Sequence, residues 1–498
     1  MQRYKKGILI CLVCIISFLP AVSMALDVDV QGHLQSQATL RDTTGVQYGF
    51  YDGNTEFVAL RNDLKLNIYL RPEYQIEPAL RFEKAFLCYR GVYNAIFDLT
   101  DRYDRIVVDA DTSNFETGRD ELRFENDLRE ATLDFIYEAP TNTTYKLRLG
   151  RQIVPWGETL SFTITSVLNP LDMTNSASFT LPEDTRLPLW MARFDISKNS
   201  VGIFDTLNLQ LIAIPEITPM LFPIGNDNDP NTDFWAAPYG GGFAAMSSAF
   251  GATGIEQVVP SSGTENMEFA ARVSFDISSF HMELYFYDGY QDMMAMDFSE
   301  IFTATGSTIY WRHPDQQMGG FSGNYYFEPL EAVITFEGSY TDTNTFMDLG
   351  PLGMANGMRG YETYGVWQGL VGYSSAIQFI PDHIKGTKSA LNGSYEAYVR
   401  RIAGYDEATS GNAAEEDYYR FTASLSTDYD HGSVPVSIFV MYEPVGVLYT
   451  SIGISKIMGP WYFKLAQSAV FGNKTAAAGA FSTLIGSSEL TFTAGYNF

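Results

Sequence analysis

The chain ends Ser488-Glu489-Leu490-Thr491-Phe492-Thr493-Ala494-Gly495-Tyr496-Asn497-Phe498. Leu490, Phe492, Ala494, Tyr496 and Phe498 fall on one face, and Glu489, Thr491, Thr493, Gly495 and Asn497 on the other. Period-two alternation makes a β-strand with one apolar face. The stretch is about as long as a tilted strand must be to cross a bilayer. The edge strand of a soluble sandwich carries the same pattern, so the rest of the chain has to decide between them.

The other end of the chain favours export. Arg3, Lys5 and Lys6 precede a short apolar core from Gly7 to Pro20, and Ser23-Met24-Ala25 is a small-x-small cleavage site. Residues 1–25 therefore read as a secretory signal peptide and residues 26–498 as a single barrel domain. Cys11 and Cys14 leave with the signal, and Leu12-Val13 before Cys14 does not suit a lipoprotein. No later stretch reaches the roughly 18 consecutive apolar residues of a transmembrane helix. In an exported chain, a last strand ending on Tyr496 and Phe498 resembles the signal from which bacterial outer-membrane barrels are assembled.

Composition agrees. Aromatics are 14% of the chain, with 31 Tyr and 35 Phe, enough to furnish belts at both membrane interfaces. The net charge is −27, and losing the basic signal residues makes the mature chain more acidic still. Phosphate binding needs a basic surface, so nucleic acid is excluded as a partner. Acidic outer loops suit a surface of divalent cations and lipopolysaccharide. Cys88 alone survives cleavage, so no internal disulfide, Cys-based metal site or haem motif can form, and no cofactor is expected.

Taken in order, alternating stretches recur from Val28–Leu40 through Val58–Leu70, Ala131–Glu138, Met267–Ile277 and Phe280–Phe286 to the terminal strand. Ile76, Leu80, Phe82, Phe86 and Cys88 are read as the apolar set of one strand. Long and short connections alternate, with one exception at Glu443-Pro444. The pattern predicts an all-β, antiparallel transmembrane outer-membrane barrel of about 16–18 strands, with short periplasmic turns and long extracellular loops. An even count puts both termini in the periplasm. Polar residues at alternate positions then face a wet lumen.

The strongest local motif begins Leu149-Gly150-Arg151-Gln152-Ile153-Val154-Pro155-Trp156-Gly157-Glu158. It continues through Asn169-Pro170-Leu171-Asp172 to Glu183-Asp184-Thr185-Arg186-Leu187-Pro188. This series resembles the outer-membrane family catalogued as domain of unknown function 1302, which carries GRQ, WGE, NP-x-D and E-x-x-LP in that order. One extra residue separates Glu183 from Leu187-Pro188, so the last match is loose. The resemblance covers residues 149–188 and implies a barrel akin to the alginate-export and porin-like barrels, with passage of a small molecule and no chemistry.

Physically, the motif suits a loop that is held down. Arg151 is expected to pair bidentately with Glu158 or Asp172, with Trp156 packed beneath and Pro155 and Pro170 stiffening the turn. The expectation is that Arg151–Pro188 folds inward and narrows the lumen, Arg151, Gln152, Trp156, Gly157, Glu158, Asn169, Pro170 and Asp172 forming the constriction. Capping the barrel or packing between strands is the plainer reading. In the next long loop, Phe222, Phe234 and Trp235 belong to an apolar patch that is expected to line a mouth for an apolar molecule, or simply to pack loop on loop.

Other candidates are weaker. The acidic stretch from Asp98 to Glu121 lacks the glycine an EF-hand needs, with Asn114 at the sixth position counted from Asp109. The five His are scattered without a zinc pair, so no metal site is expected. His431-Gly432-Ser433 falls in a predicted periplasmic turn, and no nucleophile elbow is present, so no enzyme is expected. The leading expectation is an outer-membrane channel for passive passage of a small molecule, with inward loops setting selectivity. The alternative is a structural or partner-binding barrel, a sheath for an electron-transfer or export partner. Outer-membrane lipid, lipopolysaccharide, the barrel-assembly machinery and a small-molecule solute are the expected partners.

Overall fold

The computed structural model describes residues 26–42, 44, 55–72, 74–77, 79–99, 107–108, 123–158, 164–172, 185–221, 223–224, 254–300, 308–348, 359–377, 390–407, 415–472 and 485–498. The signal-peptide reading of residues 1–25 lies outside them, as do Phe222, Phe234 and Trp235.

Eighteen long strands form one sheet. They are β1 Leu26–Asp42, β2 Thr55–Pro72, β3 Leu80–Asn94, β4 Phe124–Ala139, β5 Thr143–Gln152, β6 Leu189–Val201, β7 Phe204–Ile214, β8 Glu268–Ile277 and β9 Phe280–Tyr290. The second half continues with β10 Asp315–Phe327, β11 Ala332–Met347, β12 Tyr361–Ile377, β13 Leu391–Ile402, β14 Asp417–Tyr429, β15 Val434–Glu443, β16 Val447–Met458, β17 Trp461–Gly472 and β18 Ser488–Asn497. Each pairs antiparallel with the next, and β18 pairs back onto β1 from Asp42↔Ser488 to His33↔Asn497. At the seam Gly32 and Phe498 exchange backbone hydrogen bonds, with N···O distances of 2.9 and 3.0 Å. The terminal strand thus closes the barrel, and no sheet edge is left open between β1 and β18.

The alternation read from the terminal strand holds around the ring. Leu490, Phe492 and Phe498 point outward and are exposed, while Glu489 turns inward and accepts a 2.8 Å hydrogen bond from Arg41 Nε. Outward aromatics gather at both strand ends. Tyr137, Tyr325, Tyr395 and Trp461 lie near the short turns, and Phe57, Phe124, Trp190, Phe269 and Phe471 near the long loops. Two aromatic girdles around an apolar band are the outer surface of a bacterial outer-membrane barrel. A closed barrel satisfies its backbone within itself, the condition for crossing hydrocarbon with strands.

Two details depart from expectation. A bulge between Phe82 and Lys84 shifts the register of β3 against β4. One extra residue reverses which face each later side chain takes, so Phe86 and Cys88 do not share the outward face of Phe82. Cys88 is buried inside. The connection of residues 378–390 is also long although it lies on the short-turn side, a second exception beside residues 444–446.

Candidate functional site

The site is built on the loop between β5 and β6. Arg151, still in β5, is buried and anchors the loop's root. Its Nη1 donates to Asp127 Oδ1 at 2.7 Å and to the Leu128 carbonyl at 2.6 Å, and its Nε to the Pro188 carbonyl at 3.2 Å. The expected pair with Glu158 or Asp172 is absent among these contacts, because Arg151 stays at the strand while the chain carries Glu158 down the lumen. Gln152 is fully buried, with Nε2 donating to the Met191 carbonyl at 3.2 Å.

Asn169 ties the two limbs of the loop together. Its Oδ1 accepts from Val154 N at 2.8 Å, and its Nδ2 donates to the Gln152 and Leu187 carbonyls at 3.2 and 2.9 Å. Pro170 is buried, and its carbonyl accepts from Leu187 N at 2.7 Å. Asp172 N donates to the Thr185 carbonyl at 2.6 Å, and Asp172 bridges to Leu221 of the following loop. Arg186 is buried, its Nη1 on the Ser166 carbonyl at 3.2 Å, and burial pulls its guanidinium below the usual arginine range against the pull of Asp292.

From this root the loop runs along the inner wall, over β7 to β11. Trp156 is 4% exposed and does not lie beneath Arg151. Its indole Nε1 donates to Gln210 Oε1 on β7 at 3.0 Å, and its ring packs on Tyr285 of β9 with centroids 5.0 Å apart. Gly157 N donates to the Tyr285 hydroxyl at 3.1 Å. Glu337 on β11, 2% exposed, accepts from Thr165 N at 2.7 Å, Thr165 Oγ1 at 2.6 Å and Glu158 N at 3.4 Å. Glu158 Oε2 accepts from Asn324 on β10 at 2.9 Å. The loop is therefore hydrogen-bonded to inward side chains of β7, β9, β10 and β11.

Its contact with the wall is dry near the root. Val154, Trp156 and Leu168 pack with Met191, Ile212, Ile214, Tyr285, Tyr287 and Met318 into one buried apolar cluster. The expectation of a polar inner face is thus corrected here: apolar inner residues of β6–β10 are covered by the loop. A readable signal is the run Leu211-Ile212-Ala213-Ile214, which is apolar on both faces. Glu337, Tyr285, Gln210 and Asp127 had no such signal, since each is one ordinary polar position in an alternating strand.

Below the loop the wall is charged. Arg148 grips Asp134 through Nε and Nη2, both at 2.7 Å, Arg193 pairs with Asp195 at 2.9 Å, and Arg272 with Glu283 at 3.0 Å. Gln210 Nε2 donates to Asp195 Oδ1 at 2.7 Å, linking Trp156 to that pair. A cavity of about 230 Å³ opens here, lined by Lys146, Arg193, Asp195, Asn208 and Arg272 among others. Elsewhere, Lys456 Nζ donates to the Asp430 carboxylate at 2.7 Å and the Ser433 hydroxyl donates to it as well, and these bonds, that of Lys456 first, hold the Asp430 carboxyl below the usual range.

The model of the family described as protein of unknown function DUF1302 matches residues 35–498, taking in the motif series and the barrel alike. The chain belongs to the DUF1302 family. No curated protein matches this DUF1302 chain. Among solved structures it is similar to OccAB1 of Acinetobacter baumannii, at 9% identity and TM-score 0.47, covering 95% of this chain and 96% of that one. It is similar to OmpF of Salmonella typhi in complex with daunomycin, at 9% identity and TM-score 0.43, covering 95% and 97%. It is also similar to an anion-selective porin from Comamonas acidovorans, at 12% identity and TM-score 0.37, covering 95% and 100%.

Proposed function

We propose that this DUF1302 barrel is an outer-membrane channel for passive passage of a small solute, with the loop of residues 153–188 setting what passes. The observation that carries the reading is the anchoring of that loop across the barrel interior, from Arg151 on β5 to Glu337 on β11. A loop that merely capped the rim would not bury its Trp156 against inward side chains of β7 and β9. The charged wall beneath favours a polar solute over the apolar one suggested by Phe222, Phe234 and Trp235, with Lys146, Arg193 and Arg272 offering donors to an acidic group. No catalytic step is assigned to this chain. The same reading sets the outer face against outer-membrane lipid and lipopolysaccharide, and gives Tyr496 and Phe498 to the barrel-assembly machinery.

Single-channel conductance of the refolded protein in a planar bilayer tests the proposal. A small, steady conductance is expected, rising when Glu337→Ala and Trp156→Ala together release the loop. Conductance unaltered by that release removes the loop from selectivity. A barrel closed in both forms supports the alternative of a sheath around a protein partner.

A further inference from the structure

A second cluster sits where the loop tip meets the wall. The register of β8, β9 and β10 aligns Asp276, His281 and Asn324 in one row, with Glu283 two residues further along β9. Glu158 enters this row from the loop. His281 Nε2 lies 3.7 Å from Glu158 Oε1 and 3.4 Å from Glu283 Oε1, and the three ligand atoms all lie within 4.8 Å of one another.

The surroundings orient these groups. His281 Nδ1 is 2.6 Å from Asp276 Oδ1. A carboxylate only accepts, so Nδ1 carries the hydrogen, and Nε2, which faces the two glutamates, gives a metal its lone pair once its own proton is displaced. A carboxylate behind a histidine is the arrangement that orients imidazole ligands of metals. Asn324 holds the other oxygen of Glu158, and the Tyr285 hydroxyl and Arg272 hold Glu283. Glu158, Asp276 and Glu283 converge on the His281 ring, and Arg272 pairs with Glu283 at 3.0 Å. Bonds of about 2.0–2.1 Å to a tetrahedral ion set ligand atoms roughly 3.4 Å apart, close to the 3.7 and 3.4 Å from Nε2 to the two glutamates.

We propose that Glu158, His281 and Glu283 form a binding site for a divalent transition-metal ion of the zinc class. One imidazole nitrogen and two carboxylate oxygens match such ions better than magnesium or calcium, which prefer oxygen alone. Bound there, the ion ties the loop tip to β9 and leaves a coordination position facing the lumen. Binding is read by stoichiometry, so its failure leaves the channel proposal standing.

The test uses the refolded full chain in detergent, stripped with chelator, titrated with zinc chloride, and assayed for retained metal after gel filtration. One zinc per barrel is expected. Asp276→Asn should weaken binding roughly 10- to 100-fold, and His281→Ala should abolish it, with heat-modifiable mobility verifying that each variant folds. Cobalt loading of the unaltered protein gives a reading that needs no variant: a visible absorption band that zinc displaces. Zinc retained undiminished by folded His281→Ala, or an unaltered protein that retains no zinc and shows no cobalt band, overturns the assignment.

Discussion

Gly157 stands where the loop comes nearest the wall. Its φ is +87°, in the region that favours glycine, and a Cβ there would sit 2.8 Å from the Glu337 carboxylate. Gly157→Val should therefore cost about 1–3 kcal/mol of local strain and lift the loop tip, seen as a higher single-channel conductance in a barrel that still migrates as folded. Trp156→Ala removes a buried aromatic together with its bond to Gln210, a loss of about 3–5 kcal/mol. Limited proteolysis checks this: tryptic cleavage after Arg186, now buried against Ser166 and Asn169, should become detectable. An uncleaved Trp156→Ala barrel would mean that the root bonds of Arg151 and Asn169 hold the loop unaided.

Closure is a property of elements. β1 and β18 meet with Gly32 against Phe498, and a Cβ on Gly32 would lie 2.3 Å from the Lys65 carbonyl and 2.8 Å from the Phe498 ring. Gly32→Leu should hinder the seam, and deletion of Phe498 should remove its two backbone hydrogen bonds. Both should lower the yield of heat-modifiable barrel on refolding, Gly32→Leu the more severely. Equal yields for Gly32→Leu and the unaltered chain would mean that the strands shift to accommodate the side chain. The alternation of β18 was legible from its own residues, but the inward turn of Phe86 and Cys88 was not. The bulge at Phe82/Lys84 inserts a residue without any local change in composition, so period-two reading carries the wrong face past it.

For the whole molecule, the lumen wall places cations inside a strongly acidic chain. The chain is at −27, yet the wall under the loop carries Lys146, Arg148, Arg193 and Arg272, each paired with a carboxylate. Field lines focus in a narrow channel with low-dielectric walls. Lys146→Glu with Arg193→Glu should shift the reversal potential under a potassium chloride gradient toward cation selectivity, changing the permeability ratio by about tenfold or less. An unmoved reversal potential would mean that ions pass along the opposite wall.

The alternation of short, half-apolar strands and the rhythm of long and short connections determined a transmembrane barrel from the sequence alone. Membrane strands obey a local rule, since each residue faces either lipid or lumen, and that rule is written in every strand. The motif from Arg151 to Pro188 likewise marked a loop anchored to the interior by many of its residues. Tertiary structure decided what those anchors hold. Arg151 chose Asp127, Trp156 chose Gln210 and Tyr285, and Glu158 came to His281, which lies more than a hundred residues away along the chain. Such contacts depend on which strands curve round to face one another and how deep the loop descends, and neither is recorded in the local order of residues.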